Sequence, residues 1–402
     1  MRLFFINRYY WPDESATALM LTGIASRLAK HGHRVTVVTS RQKLEAPDAR
    51  LPAREMQDGV EICRVWTSRF GRHQLSGRAL DYLSFYWTAA WALFQLARPG
   101  DTVVAKTDPP LLGVALLPVI RLKRARLINW WQDIYPEIAV QLGVLPERLL
   151  FRLLRRLRNW SIRNAAQNVV LGTHMRNFLR EHVPGARITL IPNWAADLPW
   201  TPQPAADNPL RLQHGLKDKV VVGYSGNYGR AHDLGLLLEL SALYGSRDDL
   251  RFLMIGGGAQ YEALRANVIQ RGLSNWLFLP YQPSAQLADS LGAIDIHVVS
   301  LKPDLEGLIV PSKIYGILAA GRCSIFIGAQ DGEIAQLHAA CGTGIVLQPA
   351  DSPETAKSLL DPLIHSAETR QRMGAEARQR FATQNTLEQV QTQWRALLQP
   401  FI

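Results

Sequence analysis

The 402-residue chain has few cysteines and lacks several motifs that would identify a cofactor directly. Its three cysteines, Cys63, Cys323 and Cys341, are widely spaced with no C-x-x-C pair, which is typical of reduced thiols in a cytoplasmic protein. Neither G-x-G-x-x-G nor G-x-x-x-x-G-K-[ST] occurs, so no dinucleotide or nucleoside-triphosphate loop is predicted. The absence of D-x-D gives no reason to expect a metal, and we predict none.

Long apolar runs are also missing. The two longest candidates, residues 82–97 and 111–120, fall short of the ~20 residues that a membrane-spanning helix needs. We interpret both as core helices. No signal peptide is expected, because Met1 and Arg2 lead straight into the strand-like segment Leu3–Ile6.

What the chain does have is an uneven charge. Residues 1–200 contain 28 lysines and arginines against 15 aspartates and glutamates, whereas the remainder has 17 against 19. An anionic partner is therefore expected to meet the first half. Nucleic acid, an anionic membrane and a phosphate-bearing acceptor all fit this charge.

Strands and helices alternate in both halves, which predicts two parallel sheets. Residues 193–209 contain four prolines and form the best linker candidate. We expect two Rossmann-like, doubly wound α/β domains facing a cleft, at residues 1–195 and 210–384. A last helix within residues 385–402 is expected to pack back on the first domain. Ligands of open α/β sheets bind beyond the carboxyl ends of the strands, here in the cleft.

Residues 310–321, V-P-S-K-I-Y-G-I-L-A-A-G, follow an apolar strand and a short loop. The pattern predicts a helix with Pro311, Ser312 and Lys313 in its first turn. Lysine is unfavourable at a helix N-terminus unless an anion offsets it, so Lys313 indicates a phosphate site. A solvated surface lysine is the alternative.

Two glycine turns follow neighbouring predicted strands. The first, Y-S-G-N-Y-G-R at residues 224–230, contains Gly226, Asn227 and Arg230, and the second, at residues 256–258, contains Gly257. Glycine lets the backbone approach a phosphate closely, and arginine can pair with it. Together with Lys313, these turns give three phosphate-competent strand ends in one domain.

Residues 147–163 form an amphipathic basic pattern. Leucines and a tryptophan make one stripe, and arginines make the other: Leu150, Leu153, Leu154, Leu157 and Trp160, with Arg148, Arg152, Arg155, Arg156 and Arg163. Such a helix lies in a membrane interface or packs its apolar face on the core. Aromatic residues are not interleaved with the arginines, which argues against nucleic acid.

At these motifs the sequence resembles the retaining, two-domain glycosyltransferases of the GT-B fold, family 4. It is most similar to bacterial transferases of O-antigen and colanic-acid-like polysaccharide assembly, including the L-fucosamine type. The resemblance extends over nearly the whole chain, and five stretches carry it. They are Tyr10-Trp11-Pro12, W-Q-D-I-Y-P-E at 131–137, Ser225-Gly226-Asn227, Ile255-Gly256-Gly257-Gly258 and residues 311–321.

The resemblance implies a nucleotide-sugar donor bound by the second domain, with the base near Tyr281. Many members carry an arginine and a lysine where this chain has Asn227 and His232, so Arg230 is the expected substitute. Glu306 is the candidate for the first of the family's two carboxylates, and Gly316 stands at the second place.

We therefore expect a retaining hexosyl- or N-acetylaminosugar transferase, with UDP favoured over a guanine nucleotide. Arg230, Lys313 and Glu306 would serve the donor. Asp133 would orient or deprotonate the acceptor hydroxyl, or else cap the turn before Pro136. The acceptor would be polyprenyl-diphosphate-linked at the inner face of the cell membrane, with no cofactor or nucleic acid. A non-catalytic nucleotide-sugar-binding module is the alternative.

Overall fold

The computed structural model describes residues 2–44, 46, 48–71, 75–195 and 207–401. It divides into two compact units. The first comprises Met1–Ala196, Gly307–Val310 and Leu387–Ile402, and the second comprises Asp197–Glu306 and Pro311–Thr386. Most of the predicted linker, including Pro199, Pro202 and Pro204, lies outside the described residues.

The first unit is built on an eight-stranded sheet in the order β3-β4-β2-β1-β5-β6-β7-β8, parallel except for the β3–β4 pair. The strands are β1 (Arg2–Ile6), β2 (Arg34–Ser40), β3 (Arg54–Gln57), β4 (Val60–Val65), β5 (Thr102–Lys106), β6 (Arg126–Trp130), β7 (Gln167–Val170) and β8 (Ile188–Leu190). The central strands β1, β2, β5 and β6 are buried along nearly their whole length, because helices cover both faces of the sheet.

Strand β3 is an element that the sequence analysis does not predict. It forms an antiparallel hairpin with β4 through Asp58 and Gly59, whose φ angles are 50° and 79°. Aspartate followed by glycine is the sequence signal for such a turn. The sequence of β3, Arg-Glu-Met-Gln, is polar because an edge strand needs little apolar character. No apolar run therefore indicates this strand.

Six helices before the linker accompany this sheet: α1 (Ala16–Lys30), α2 (Leu75–Leu96), α3 (Leu112–Leu122), α4 (Glu137–Gln141), α5 (Leu149–Asn164) and α6 (Thr173–His182). Helix α1 packs on one face of the sheet, and α2 and α3 pack on the other. No helix in the described part of the chain is both long and apolar enough to cross a membrane.

The second unit contains a six-stranded, fully parallel sheet in the order β11-β10-β9-β12-β13-β14. Its strands are β9 (Val220–Asn227), β10 (Leu250–Gly257), β11 (Trp276–Leu279), β12 (Ile296–Ser300), β13 (Cys323–Ile327) and β14 (Gly344–Leu347). Strands β9 and β10 pair in register to their last residues, so Gly226 lies opposite Gly256 and Asn227 lies opposite Gly257.

Eight helices accompany the second sheet: α7 (Pro209–Gln213), α8 (Gly235–Leu243), α9 (Tyr261–Gln270), α10 (Leu287–Gly292), α11 (Lys313–Ala319), α12 (Glu333–Cys341), α13 (Pro353–His365) and α14 (Ala367–Gln384). The sequence analysis missed α7 by assigning Pro209 to the linker. The Asn208 side chain caps it by accepting from the N–H groups of Leu210 and Arg211. An N-cap asparagine followed by proline is a helix-start signal.

The last helix, α15 (Leu387–Leu398), belongs to the first unit. Val390, Trp394 and Leu398 are buried there, and the Trp394 ring makes an edge contact with Trp130 at a centroid distance of 4.8 Å. Helix α15 therefore completes the core of the first unit.

Candidate active site

Lys313 is the first residue of α11, close to its predicted place. Its Nζ is shielded from solvent, donates no hydrogen bond to the described residues and lies 3.3 Å from the centroid of the Tyr224 ring. Burial holds the pKa of Lys313 well below its usual range. A desolvated ammonium without a counter-ion is costly, so this position favours an incoming anion.

The glycine turns lie beside this ammonium. A Cβ atom on Gly226 would come within 4.0 Å of Lys313 Cε, and one on Gly256 would overlap the carbonyl oxygen of Gly226. The φ angles of Gly226 and Gly256 are 125° and 127°, a region that glycine adopts without strain. Backbone at the ends of β9 and β10 is thereby brought close together next to a cation.

Arg230 and His232 follow in the same loop. Arg230 is exposed and makes no hydrogen bond or ion pair with the described residues, so its guanidinium is available. The His232 Nδ1 donates to the carbonyl oxygen of Ser300 at 2.6 Å. Burial, aided by the nearby charge of Lys313, lowers the pKa of His232 to about 3. His232 is therefore neutral and cannot replace the family's lysine as a charge.

Tyr281 is half exposed, and its ring lies against the second glycine turn. Cβ atoms on Gly256 and Gly257 would come within 3.2 Å and 3.1 Å of it. An exposed aromatic ring next to a phosphate-competent turn suits a nucleotide base. Ser312 is the exposed N-cap residue of α11, but its side chain makes no capping bond, and Pro311 precedes it as a buried residue.

The side chain of Glu306 lies against the N-terminus of α12 and not at that of α11. Its Oε2 accepts from the backbone N–H of Glu333, the first residue of α12, at 3.3 Å. A Cβ on Gly332 would overlap the same carboxylate. Glu306 thus stabilises the N-terminus of α12, and its role toward a donor stays a prediction.

In the first unit, Asp133 follows β6 and pairs by backbone with Ile309. Its carboxylate accepts no hydrogen bond within the described chain, and α4 begins without a side-chain cap, so the turn-capping alternative is not supported. Burial, together with the nearby Asp108, raises the pKa of Asp133 to about 6, against an opposing effect of Lys106. A carboxylate with this pKa is suited to accept a proton near neutral pH.

Lys106 is a site residue that the sequence analysis missed, because it ends an apolar strand. It is buried, donates from Nζ to the carbonyl oxygen of Thr17 at 3.0 Å and lies 4.1 Å from the centroid of the Trp130 ring. Burial lowers its pKa to about 7, while Asp108 and Asp133 act in the opposite direction. Lys106, Asp108 and Asp133 therefore form one electrostatically coupled group.

Helix α5 begins near its predicted place, but its faces differ from the expectation. The buried positions are Phe151, Arg158, Ser161 and Ile162. Leu150 and Leu153 are exposed with Arg148, Arg152 and Arg156, whereas Arg155 and Trp160 are half-buried. Arg158, which is absent from the predicted basic stripe, pairs with Glu137 at 2.6 Å. The core thus leaves the leucines at the start of α5 uncovered.

Comparisons with known proteins identify the family. Residues 16–194 match the model of a glycosyl transferase 4-like domain, and residues 208–380 match that of glycosyl transferases group 1. The chain belongs to the family 4 glycosyltransferases of the GT-B fold. The sequence-based predictions of fold and enzyme class are confirmed.

Two curated relatives of this glycosyltransferase are informative. A probable glycosyltransferase, WbjE from Pseudomonas aeruginosa, is 26% identical over 368 residues, covering 90% of this chain and 89% of that protein. The putative colanic acid biosynthesis glycosyl transferase WcaI from Escherichia coli K12 is 30% identical over 189 residues, or 46% of this chain and 45% of WcaI.

Solved structures share the transferase's fold at low identity. Sucrose-phosphate synthase from Thermosynechococcus elongatus superposes with a TM-score of 0.79 at 16% identity, over 100% of this chain and 98% of its own. Anabaena HepE in complex with UDP-glucose gives a TM-score of 0.71 at 17% identity, over the full length of both.

Proposed function

We propose that this glycosyltransferase moves a sugar from a nucleotide diphosphate, with UDP favoured, to a polyprenyl-diphosphate-linked acceptor, retaining the anomeric configuration. The pathway would be assembly of a bacterial surface polysaccharide. WbjE and WcaI, a probable glycosyltransferase and a putative colanic acid transferase, support this assignment.

The observation that carries the donor proposal is the unpartnered Lys313 ammonium beside two glycine turns. When the sugar C1–O bond breaks, the electron pair stays on the diphosphate. A cation that is already desolvated stabilises this developing charge without reorganising solvent. Arg230, which makes no hydrogen bond or ion pair with the described residues, would add a second positive charge.

The acceptor hydroxyl oxygen forms the new bond to C1 and releases its proton. Asp133 would orient this hydroxyl and receive the proton, which its raised pKa favours. Tyr281 would stack on the base, and the UDP-glucose complex of HepE supports a uracil nucleotide. Arg148, Arg152, Arg155 and Arg156 on and next to α5 would attract the anionic membrane that holds the acceptor.

The decisive test is release of free nucleotide diphosphate from a panel of nucleotide sugars in the presence of a short-chain polyprenyl-diphosphate-linked sugar. We expect turnover with a UDP-sugar and a product of retained configuration by nuclear magnetic resonance. An inverted product would overturn the stereochemical proposal. Nucleotide binding without release in any combination would favour the binding-module alternative.

Metal independence stays a prediction. No group of three His, Cys, Asp or Glu residues within the described ranges is placed to hold an ion, and Lys313 and Arg230 offer charge in its place. We expect turnover to survive exhaustive chelation. Loss of activity that magnesium or manganese restores would establish a metal role.

A further inference from the structure

Helix α2 has one buried face and one exposed apolar face. Phe85, Ala89 and Leu93 pack in the core of the first unit. The opposite face is an aromatic and leucine stripe at helical spacing, consisting of Leu80, Leu83, Trp87, Trp91 and Phe94. Trp87 is 77% exposed and Trp91 is 57% exposed, so the stripe is not covered by the protein itself. This corrects the interpretation of residues 82–97 as a core helix.

Further large apolar side chains are exposed on segments that neighbour α2. Trp66 and Phe70, both about two-thirds exposed, lie in the loop before α2, which is tied to the helix by a bond from Thr88 Oγ1 to the Trp66 carbonyl oxygen at 2.8 Å. Helix α3 packs between α2 and α5. Its last residue, Leu122, is exposed, as are Leu149, Leu150 and Leu153 on α5.

The helices that carry this surface have charge of one sign. Helices α2, α3 and α5 contain a single acidic residue, Asp81, which is buried and pairs with Arg8 at 3.3 Å. In the loop before α2, Arg69 pairs with the exposed Asp48 at 3.6 Å. Cations lie against the aromatic rings, with Lys123 Nζ 4.3 Å from the centroid of Phe94 and the Arg121 guanidinium 5.4 Å from that of Trp160. Helices that expose tryptophan, leucine and arginine but no carboxylate have the composition that binds an anionic lipid interface.

We infer that the exposed stripe of α2, with Trp66 and Phe70, inserts into the interfacial layer of an anionic bilayer. This deepens the membrane component of the proposed function and does not depend on the sugar transferred. Adsorption through the arginines of α5 is electrostatic and screened by salt. Insertion of Trp87 and Trp91 adds a hydrophobic contribution that salt does not remove.

The test compares three variants with the wild type by sedimentation with phosphatidylglycerol-containing vesicles. Trp87→Ser/Trp91→Ser removes the stripe. Arg148→Gln/Arg152→Gln/Arg155→Gln/Arg156→Gln removes the charge. Ile269→Ser/Leu359→Ser is the matched control, because it removes two exposed apolar side chains from the second unit.

We expect the wild type and the control to remain partly bound in about 0.5 M salt, where electrostatic adsorption is screened. The tryptophan variant should lose at least about ten-fold in partitioning there. The arginine variant should lose mainly the additional binding seen at low salt. Quenching of wild-type tryptophan fluorescence by brominated lipids, reduced in the tryptophan variant, is the second expected result.

Equal partitioning of the wild type and the tryptophan variant at high salt would overturn the inference. A wild-type dimer that this variant converts to a monomer in lipid-free solution would also overturn it, in favour of a second copy as the partner. Calorimetric UDP binding verifies that the variant is folded. If partitioning into vesicles depends on the tryptophans but the protein releases no nucleotide diphosphate, the membrane inference is supported and the proposed function is not.

Discussion

Lys106 and Lys313 lie in different units and have different surroundings. Lys106 ends β5 and Lys313 begins α11, but each is desolvated and lies over an aromatic ring, Trp130 for Lys106 and Tyr224 for Lys313. Lys106 donates to a backbone carbonyl and has Asp108 and Asp133 nearby. Lys313 has no polar partner in the described structure.

The two buried lysines are therefore suited to different roles. The charge of Lys106 is compensated within the protein by Asp108 and Asp133, so these three residues can exchange protons whether or not a ligand is bound. Lys313 lacks compensation, so the folded protein carries an electrostatic cost that an anionic ligand would relieve. We therefore expect changes near Lys106 to alter the pH dependence of turnover, and changes at Lys313 to alter donor affinity.

The largest effect is expected for Asp133→Asn. If Asp133 receives the acceptor proton, kcat/KM should fall about 10²- to 10⁴-fold. Wild-type activity should be present above pH 6 and decline as pH falls through about 6, because the raised pKa protonates the base there. Asp108→Asn is the matched control. Removing that neighbouring charge should shift the acidic limb to lower pH, and an unshifted limb would assign it to another group.

Lys313→Met should weaken UDP binding by about 1.5–3 kcal/mol, since one charge-assisted bond to the diphosphate is lost. The same change should raise the Tm of the ligand-free protein, because an apolar side chain replaces an uncompensated buried ammonium. Calorimetry and thermal unfolding measure the two effects. Lys357→Met, which removes a lysine paired with Asp361 on α13, should leave UDP affinity unaltered. A lowered Tm with unaltered affinity at Lys313 would show a structural role.

Arg230→Ala should weaken UDP binding by about 1.5 kcal/mol, the lower end for a charged bond, because the exposed guanidinium stays largely hydrated. Arg230→Lys should recover part of the loss by keeping the charge without the bidentate geometry. Titration calorimetry on both variants distinguishes these contributions. If both variants bind UDP with wild-type affinity, Arg230 does not contribute to donor binding.

The smallest effect is a change in protonation. Burial lowers the pKa of Lys313 in the free protein, and a bound diphosphate should raise it. At a pH between the pKa of Lys313 in the free protein and its pKa in the UDP complex, UDP binding should be accompanied by uptake of a fraction of a proton. The affinity for UDP should therefore fall as pH rises through this range. Titrations in buffers of different ionisation enthalpy measure this uptake. It should vanish in Lys313→Arg, which stays charged, and its persistence there would point to another group.

The sequence indicated the candidate residues of the second unit more readily than those of the first. Lys313, Gly226 and Arg230 could be selected because helix starts and strand-end glycines have recognisable patterns. Lys106 could not, since a lysine at the end of an apolar strand carries no local signal of burial. Tyr224 also appears as an ordinary strand residue, and its contact with Lys313 joins residues 89 positions apart.

Alternation of apolar runs was enough to predict both parallel sheets, whose central strands are buried on both faces. Burial of helical faces was harder to predict. Trp87 and Phe85 are equally apolar, yet one is exposed and the other is in the core. Hydrophobicity alone does not distinguish a face that packs on a sheet from one available to lipid, so α2 and α5 required the three-dimensional structure.

The position of α15 has a consequence for biosynthesis. Trp394 of α15 fills the core of the first unit, so this core cannot be completed until α15 has left the ribosome, after the whole second unit. The second unit, which ends before Leu387, can acquire its core earlier. A nascent chain that stops before Leu387 would therefore combine a folded second unit with an unfinished first unit that exposes Phe5, Trp130 and Trp194. Quality-control proteases would recognise such a product by its first unit.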